Sequence, residues 1–255
     1  MNTVNTMNTV KAVSLRVHIA HVGYEVQRVV KPLVDLRADR VYLITGDASD
    51  TAKSYWNQVL SILGKEYTLI EVEKRFSSPW SFPDLLSLYR EIVKHEQSSG
   101  NQVYVNISTG TKVAAMVGLL SAMLWGTMPY YAQIAYGKQA TGGQIVTEVV
   151  TGIITDIPVF RIGGPTEVEL NVLSLLARSG SPLPKQAVIR NLQRDGFIPE
   201  PERTKEPAAY GQLNAILGPL VERGFIRVEG ERKNARISVT GSGRDAVILF
   251  ASRPD

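Results

Sequence analysis

The sequence contains no cysteine. That excludes disulfides, thiolate metal sites and cysteine nucleophiles. Histidine is scarce as well: His18, His21 and His95 are the three present, too few for a histidine-rich metal centre. We therefore expect no metal and no cofactor. Long apolar runs are missing. The longest, 113–125, is interrupted by Gly118 and Ser121 and falls short of the roughly 20 residues that span a bilayer. Residues 1–9 lack the apolar block of a signal peptide, so a cytoplasmic protein with no membrane partner is expected, with a disordered tail over 1–12. Nor does one sign of charge dominate. The 28 Lys and Arg residues against 24 Asp and Glu leave +4, a balance compatible with nucleic acid but not diagnostic of it. Neither a GxGxxG motif nor the spacing of a P-loop occurs, which argues against dinucleotide binding and nucleoside triphosphate hydrolysis.

What is present suits a globular protein. The 255 residues are 44% hydrophobic and 20% charged, enough for one large domain or two small ones. Periodicity predicts strands over 15–20, 40–45, 67–72 and 102–107, and helices over 25–36, 52–63, 82–97 and 113–124. Pro32 lies inside the first helical pattern, where it is expected to kink or break the helix. Segments 127–135 and 144–154 predict two further strands joined by a glycine-rich turn, an antiparallel hairpin at the sheet edge. Alternating strands and helices give the fold class: α/β, a Rossmann-like, mainly parallel sheet of about six strands over 13–158. Gly163-Gly164-Pro165 marks a boundary, with a linker over 159–164. Over 165–255 the pattern changes to helices at 165–178, 184–194 and 207–223, short strands at 225–228 and 235–239, and a final helix at 241–252. Three helices followed by a β-hairpin is the order of a smaller winged helix-turn-helix domain.

In an open parallel sheet, ligands bind beyond the carboxyl ends of the strands. Two turns qualify. The first is His21-Val22-Gly23-Tyr24. The second is Asn106-Ile107-Ser108-Thr109-Gly110-Thr111-Lys112, which runs into a helix. A helix N-terminus offers free backbone N–H groups and the positive end of a dipole, so it attracts phosphate. Gly110 lets the backbone approach a ligand closely. Ser108, Thr109 and Thr111 are candidate donors, and Lys112 adds a full charge. The same residues also read as an ordinary N-cap and turn. His21 reads as a loop support before it reads as a base, and Tyr24, Trp80 and Tyr130 as core or rim aromatics.

At these residues the chain resembles the CRISPR-associated Rossmann fold (CARF) family. Residues 106–112 are similar to the Asp/Asn-x-Ser/Thr-x-Gly-Thr-Lys/Arg turn typical after that family's fourth strand. Val22-Gly23-Tyr24 resembles its first ligand loop. A Rossmann-like domain followed by a winged helix also resembles archaeal CARF regulators. The chain departs from the commonest pattern in having Asn106 for Asp and Thr109 for the first of two glycines. The resemblance implies a cyclic oligoadenylate ligand, cyclic tetra-adenylate foremost, of the kind made in type III CRISPR antiviral signalling. It implies binding by His21, Gly23, Tyr24, Asn106, Ser108, Thr109, Gly110, Thr111 and Lys112, astride the two-fold axis of a homodimer. An isologous dimer presents two copies of one anion-binding turn to a ring of repeated phosphates.

Three functions follow. The first, our expectation, is a transcription regulator that senses this ligand and binds double-stranded DNA. Tyr210, Gln212 and Asn214 on the third helix of the winged domain would face bases, while Arg227, Arg232, Lys233 and Arg236 in or beside the wing hold phosphates. Residues 163–255 hold 13 basic and 11 acidic residues, so bulk basicity is lacking and a domain for protein contacts or dimerisation is the competing reading. The second, the alternative, is a metal-independent ring nuclease in which a ribose 2′-hydroxyl attacks the adjacent phosphate. Lys112 would stabilise charge with Ser108 as donor, and His21 or Tyr24 would assist proton transfer. The third, an effector nuclease, ranks last, because residues 163–255 carry no histidine and no carboxylate cluster at metal spacing.

Overall fold

The computed structural model describes residues 13–46, 50–138, 146–200, 206–230 and 234–250. The tail expected over 1–12 lies outside them. The chain divides between Ile162 and Gly163 into two compact units.

The first unit contains β1 (Arg16–His21), α1 (Val26–Asp35), β2 (Arg40–Thr45), α2 (Asp50–Glu66), β3 (Glu71–Phe76), α3 (Phe82–Ser98), β4 (Gln102–Asn106), α4 (Lys112–Trp125), β5 (Met128–Lys138) and β6 (Val146–Ile154). The sheet order is β3-β2-β1-β4-β5-β6. Its first five strands are parallel, and β6 closes the edge antiparallel to β5. This is the Rossmann-like architecture that the strand–helix alternation predicts. The chain builds outward from β1 to β3 and then returns to place β4 on the other side of β1. The switch point of the sheet therefore lies between β1 and β4, and the turns that follow these two strands flank it.

The central strands are apolar because both faces are covered. Val17, Ile19 and Ala20 of β1 and Val41, Leu43 and Ile44 of β2 have no exposed surface. On one face Ala20, Val41 and Leu43 meet Val29 and Leu33 of α1 and Val59 and Leu63 of α2. Right-handed crossovers place α3 and α4 on the other face. Each buried Val, Leu or Ile side chain contributes about 1.5–3 kcal/mol. At the amino end of the sheet, Glu96 of α3 is fully buried. Its carboxylate accepts hydrogen bonds from Arg40 (2.8 Å), Tyr42 (2.5 Å) and Asn101 (2.6 Å). Burial works against its charge, and these donors outweigh it, holding the carboxyl below its ordinary range.

Two elements differ from expectation. The third strand begins at Glu71 rather than at 67. It is an edge strand paired with β2 alone, and its sequence Glu-Val-Glu-Lys-Arg-Phe is correspondingly charged. The apolar residues just before it serve the turn instead: Tyr67 and Ile70 pack on the α1–α2 core. Helix α2 runs on through Gly64 to Glu66, past the expected end at 63.

The second unit contains α5 (Glu167–Ser179), β7 (Leu183–Pro184), α6 (Lys185–Arg194), α7 (Glu206–Glu222), β8 (Ile226–Glu229), β9 (Arg236–Val239) and α8 (Gly241–Phe250). Its sheet order is β7-β9-β8, which makes it a winged helix. The two-residue β7 was too short to leave a pattern in the sequence. It pairs with β9 at the sheet edge, where Pro184 is tolerated. Leu173, Leu192, Leu213, Leu220 and Ile237 are completely buried in the core of this unit. A capping box at Thr166 and Glu169 starts α5, and the same Glu169 carboxylate receives Arg223 at 3.1 Å. Among the described residues no helix is long and apolar enough to cross a membrane.

Two histidines are buried in the first unit. His18 Nδ1 lies 3.2 Å from Tyr130 Oη, and its ring stacks on Tyr104. His21 stacks on Tyr89 of α3, with ring centroids 5.9 Å apart. Burial lowers His18 to about 3 and His21 to about 4, whereas both titrate near 6.5 in an unfolded chain. The unfolded state thus binds more protons below pH 6.5. Stability is intact above that pH and falls as the pH drops from 6.5 toward 4. We expect the first unit to lose about 2 kcal/mol per histidine between pH 7 and pH 5, read by denaturant unfolding. His21→Phe should remove about half of that slope. A stability that is flat over the interval would contradict the burial of these rings as neutral groups.

Candidate functional site

The site begins with a missing hydrogen. Pro32 does not break α1, which runs through it from Val26 to Asp35. Proline has no N–H, so the Arg28 carbonyl one turn earlier has no helical donor. Asn106, at the end of β4, replaces it: Nδ2 donates to Arg28 O at 2.8 Å. On the other side of the same amide, Oδ1 accepts from the Ser108 N–H at 2.9 Å and from the Ser108 hydroxyl. The Ser108 N–H can only donate, which fixes the orientation of the amide. Asn106 is 2% exposed. A carboxylate in its place would offer acceptors alone and face the Arg28 carbonyl with nothing to give.

Beyond Asn106 the turn is fixed at two more points. Gly110 has φ +83°, and a Cβ there would lie 2.6 Å from His21 Cβ. A Cβ on Gly23 would lie 3.4 Å from the Gly110 nitrogen. The loops after β1 and β4 are therefore in van der Waals contact, and position 110 requires glycine both for its φ and for space. Thr111 is the N-cap of α4. Its hydroxyl accepts from the Ala114 N–H at 3.2 Å and donates to Pro79 O at 2.7 Å. No acidic residue lies in the first turn of α4, so the positive end of its dipole is not countered from within the helix. Lys112, the first residue of α4, is exposed. Among the described residues nothing hydrogen-bonds or pairs with its ammonium.

The residues named from the sequence separate into two groups. Tyr24, Gly110 and Lys112 are exposed, and Gly23, Ser108 and Thr111 are half-buried. His21, Asn106 and Thr109 are buried. The hydroxyls of Ser108 and Thr111 are already engaged within the protein. His21 Nε2 and Thr109 Oγ1 are buried and without a hydrogen-bond partner among the described residues. His21 is neutral near pH 7, being lowered to about 4 by burial. The turn therefore offers a ligand its backbone N–H groups and Lys112, while most of its side chains hold its shape. Sequence reasoning missed two supports, the Arg28 carbonyl and Pro79. Pro32 was the available signal for the first, because a proline inside a helix always frees a carbonyl. Among the described residues no group of three or more His, Asp or Glu side chains is placed to hold a metal.

In the second unit, Gln212 and Asn214 are exposed on α7, and Asn214 Oδ1 accepts from Lys185 Nζ at 2.9 Å. Tyr210 is partly buried against the hydrophobic core. Arg227 on β8 and Arg236 on β9 are exposed. Arg236 stands opposite Glu229 in the ladder and reaches Pro182 O at 3.4 Å. Arg232 and Lys233 lie outside the described residues.

Comparison with known proteins divides the chain in the same way. Residues 16–136 match a family described as HFX_2341_N:-like, N-terminal. Residues 168–251 match the DUF6293 C-terminal winged helix domain. A Rossmann-like domain followed by a winged helix, the organisation implied by the CARF resemblance, is thus the organisation found. A Methanocaldococcus jannaschii protein, "Uncharacterized protein MJ1513", is 27% identical over 128 residues, which are 45% of this chain and 37% of that protein. The match thus spans little more than a third of the relative's length. Among solved structures, Can2 from Sulfobacillus thermosulfidooxidans in complex with cyclic tetra-adenylate is 12% identical with a TM-score of 0.41, covering 91% of this chain and 63% of that one. Enterococcus italicus Csm6 bound to cyclic hexa-2′-fluoro-hexa-dAMP is 11% identical with a TM-score of 0.41, covering 84% and 57%.

The link between Pro32 and Asn106 is open to a double-mutant cycle. Asn106→Asp should lower the stability of the first unit by about 1–3 kcal/mol, because the Arg28 carbonyl loses its donor. In a Pro32→Ala background, residue 32 regains an N–H for that carbonyl and the same change should cost less. Equal costs in the two backgrounds, measured by denaturant unfolding, would contradict the link.

Proposed function

We propose that this chain, an HFX_2341_N-like domain joined to a DUF6293-type winged helix, is a ligand-controlled transcription regulator of the CARF–winged-helix kind. Its first unit binds a cyclic oligoadenylate, cyclic tetra-adenylate foremost, and its second binds double-stranded DNA. The observation that carries this reading is the turn at 108–112. It lies at the switch point of the sheet, opens onto a helix N-terminus with no acidic residue in its first turn, and ends in an exposed lysine with no partner among the described residues. Such a turn suits phosphate. The CARF resemblance supplies the class of phosphate ligand. A homodimer doubles the turn to match a ring, and places the ligand across the two-fold axis.

Helix α4 supports a sensing role. It begins at this turn and spans 14 residues, about 21 Å at the helical rise. At its far end the Ile162 N–H donates to Met123 O at 2.9 Å, and Ile162 is the last residue before the second unit. The element that carries the ligand turn is therefore bonded to the segment that leads into the winged helix. In that domain the exposed Gln212 and Asn214 face bases, and Arg227, Arg232, Lys233 and Arg236 hold phosphates.

The ring-nuclease alternative asks more of the same residues. His21 is buried beneath Gly110 as a neutral ring, and the Ser108 hydroxyl is bonded to Asn106. Proton transfer would then fall on Tyr24 or on solvent, with Lys112 stabilising charge. A regulator needs neither step.

Calorimetric titration of the full chain with cyclic tetra-adenylate tests the ligand. The wild type should bind, and Lys112→Ala should weaken binding roughly 10-fold or more, the loss of one charge-assisted bond. The ring should be recovered intact by mass spectrometry after incubation in chelator. A linear product that disappears in Lys112→Ala would replace the regulator with the nuclease. On the DNA side, Arg227→Ala with Arg232→Ala should weaken double-stranded DNA binding and reduce its salt slope by about 2. Unchanged affinity would assign the winged helix to protein contacts.

A further inference from the structure

Trp80 is 75% exposed, although its backbone is firmly held. The Ser81 N–H donates to Ser78 O at 3.3 Å, closing a tight turn with Pro79 and Trp80 at its centre. Ser81 then caps α3 by accepting from the Asp84 N–H. Thr111 Oγ1 donates to Pro79 O at 2.7 Å. A Cβ on Gly46, just past β2, would lie 2.5 Å from Pro79 Cδ. In the sheet, β2 and β1 stand between β3 and β4. A loop that leaves β3, touches the end of β2 and bonds to the residue capping α4 must cross the carboxyl edge of the sheet. Trp80 is therefore presented at the switch point, one residue from the carbonyl that holds Thr111, itself the neighbour of Lys112.

A second aromatic is fastened to the same turn. Tyr24, 70% exposed, follows Gly23, which packs on Gly110. Its ring meets Tyr55 of α2 edge-on at 5.3 Å. Exposed aromatic faces on a fixed backbone, carried by loops that touch the turn ending in Lys112, fit a ligand that carries a flat base and a phosphate together. A simple anion would leave the indole unused, and an apolar partner would leave Lys112 to be desolvated without compensation. The Thr109 hydroxyl, buried and without a partner among the described residues, lies in the same turn and marks it as more than a helix cap.

We propose that Trp80 is the base-stacking residue of this site: its indole takes the face of an adenine while the 108–112 turn takes the attached phosphate. The site then selects a nucleotide unit over phosphate alone. The proposal rests on the cyclic oligoadenylate reading above.

The test is calorimetric titration of the full chain with cyclic tetra-adenylate at several salt concentrations. Trp80→Ala should weaken binding roughly 10- to 100-fold, and Trp80→Phe should restore most of the loss. Because stacking involves no counterion, Trp80→Ala should leave the salt dependence at its wild-type value, whereas Lys112→Ala should reduce it. Thermal unfolding of Trp80→Ala should match the wild type, as an exposed side chain requires. Affinity within two-fold of wild type in Trp80→Ala would overturn the stacking role and leave the ligand reading standing. A changed salt dependence in Trp80→Ala would show the residue acting through the shape of the turn and would also overturn it. Failure of the wild type to bind either cyclic tetra-adenylate or cyclic hexa-adenylate would overturn the ligand reading and the stacking role together.

Discussion

One side-chain amide ties the end of β4 to α1 beside the switch point of the sheet. Asn106 gives a proton to the carbonyl that Pro32 leaves unpaired in α1 and accepts the N–H and hydroxyl of Ser108. The position of the 108–112 turn is thereby indexed to α1, and through α1 to β1. The remaining links depend on that placement. Gly110 settles against His21 and Gly23, and Thr111 reaches Pro79. Once these contacts form, the turn has little freedom left to lose when a ligand arrives. Preorganisation of this kind raises affinity by lowering the ordering cost of binding rather than by adding contacts.

Such a site carries a penalty in stability. His21 and Thr109 are buried with polar atoms unpartnered among the described residues, and His21 is forced to stay neutral. Packed apolar residues in those places would hold the fold with less strain on its pH range. The supports are also distant in sequence: Arg28 meets Asn106, and Pro79 meets Thr111, only in the finished sheet. The turn is therefore a property of the folded unit, and a peptide spanning 106–112 would not reproduce it.

The fold was readable where burial repeats. β2 was placed to the residue, because a central parallel strand must be apolar on both faces. The turn at 106–112 was readable because small polar residues and a glycine interrupt apolar segments on either side. What failed was whatever depended on a distant partner. Apolar Tyr67 and Ile70 drew the third strand too early, since nothing local shows that β3 is a charged edge strand. Pro32 was expected to kink or break its helix, and the donor that compensates it lies 74 positions away by the numbering of Asn106. Ser108 and Thr111 were named as donors to a ligand. Their residue types were legible, but their engagement with Asn106 and Pro79 was not. Trp80 read as a core or rim aromatic because its place over the switch point rests on the Thr111–Pro79 bond.

The central claim is that α4's N-terminal turn holds the ligand's phosphate. The measurement that tests it most directly is amide hydrogen exchange on the full chain, with and without cyclic tetra-adenylate. Bound phosphate should slow exchange at the amides of residues 109–113, which form the turn and the start of α4, where a helix leaves its first N–H groups without helical acceptors. The loop over 77–81 should slow with them, because Thr111 ties it to the turn. A ring that binds and slows exchange elsewhere, while the 109–113 amides exchange at their unliganded rate, would contradict it.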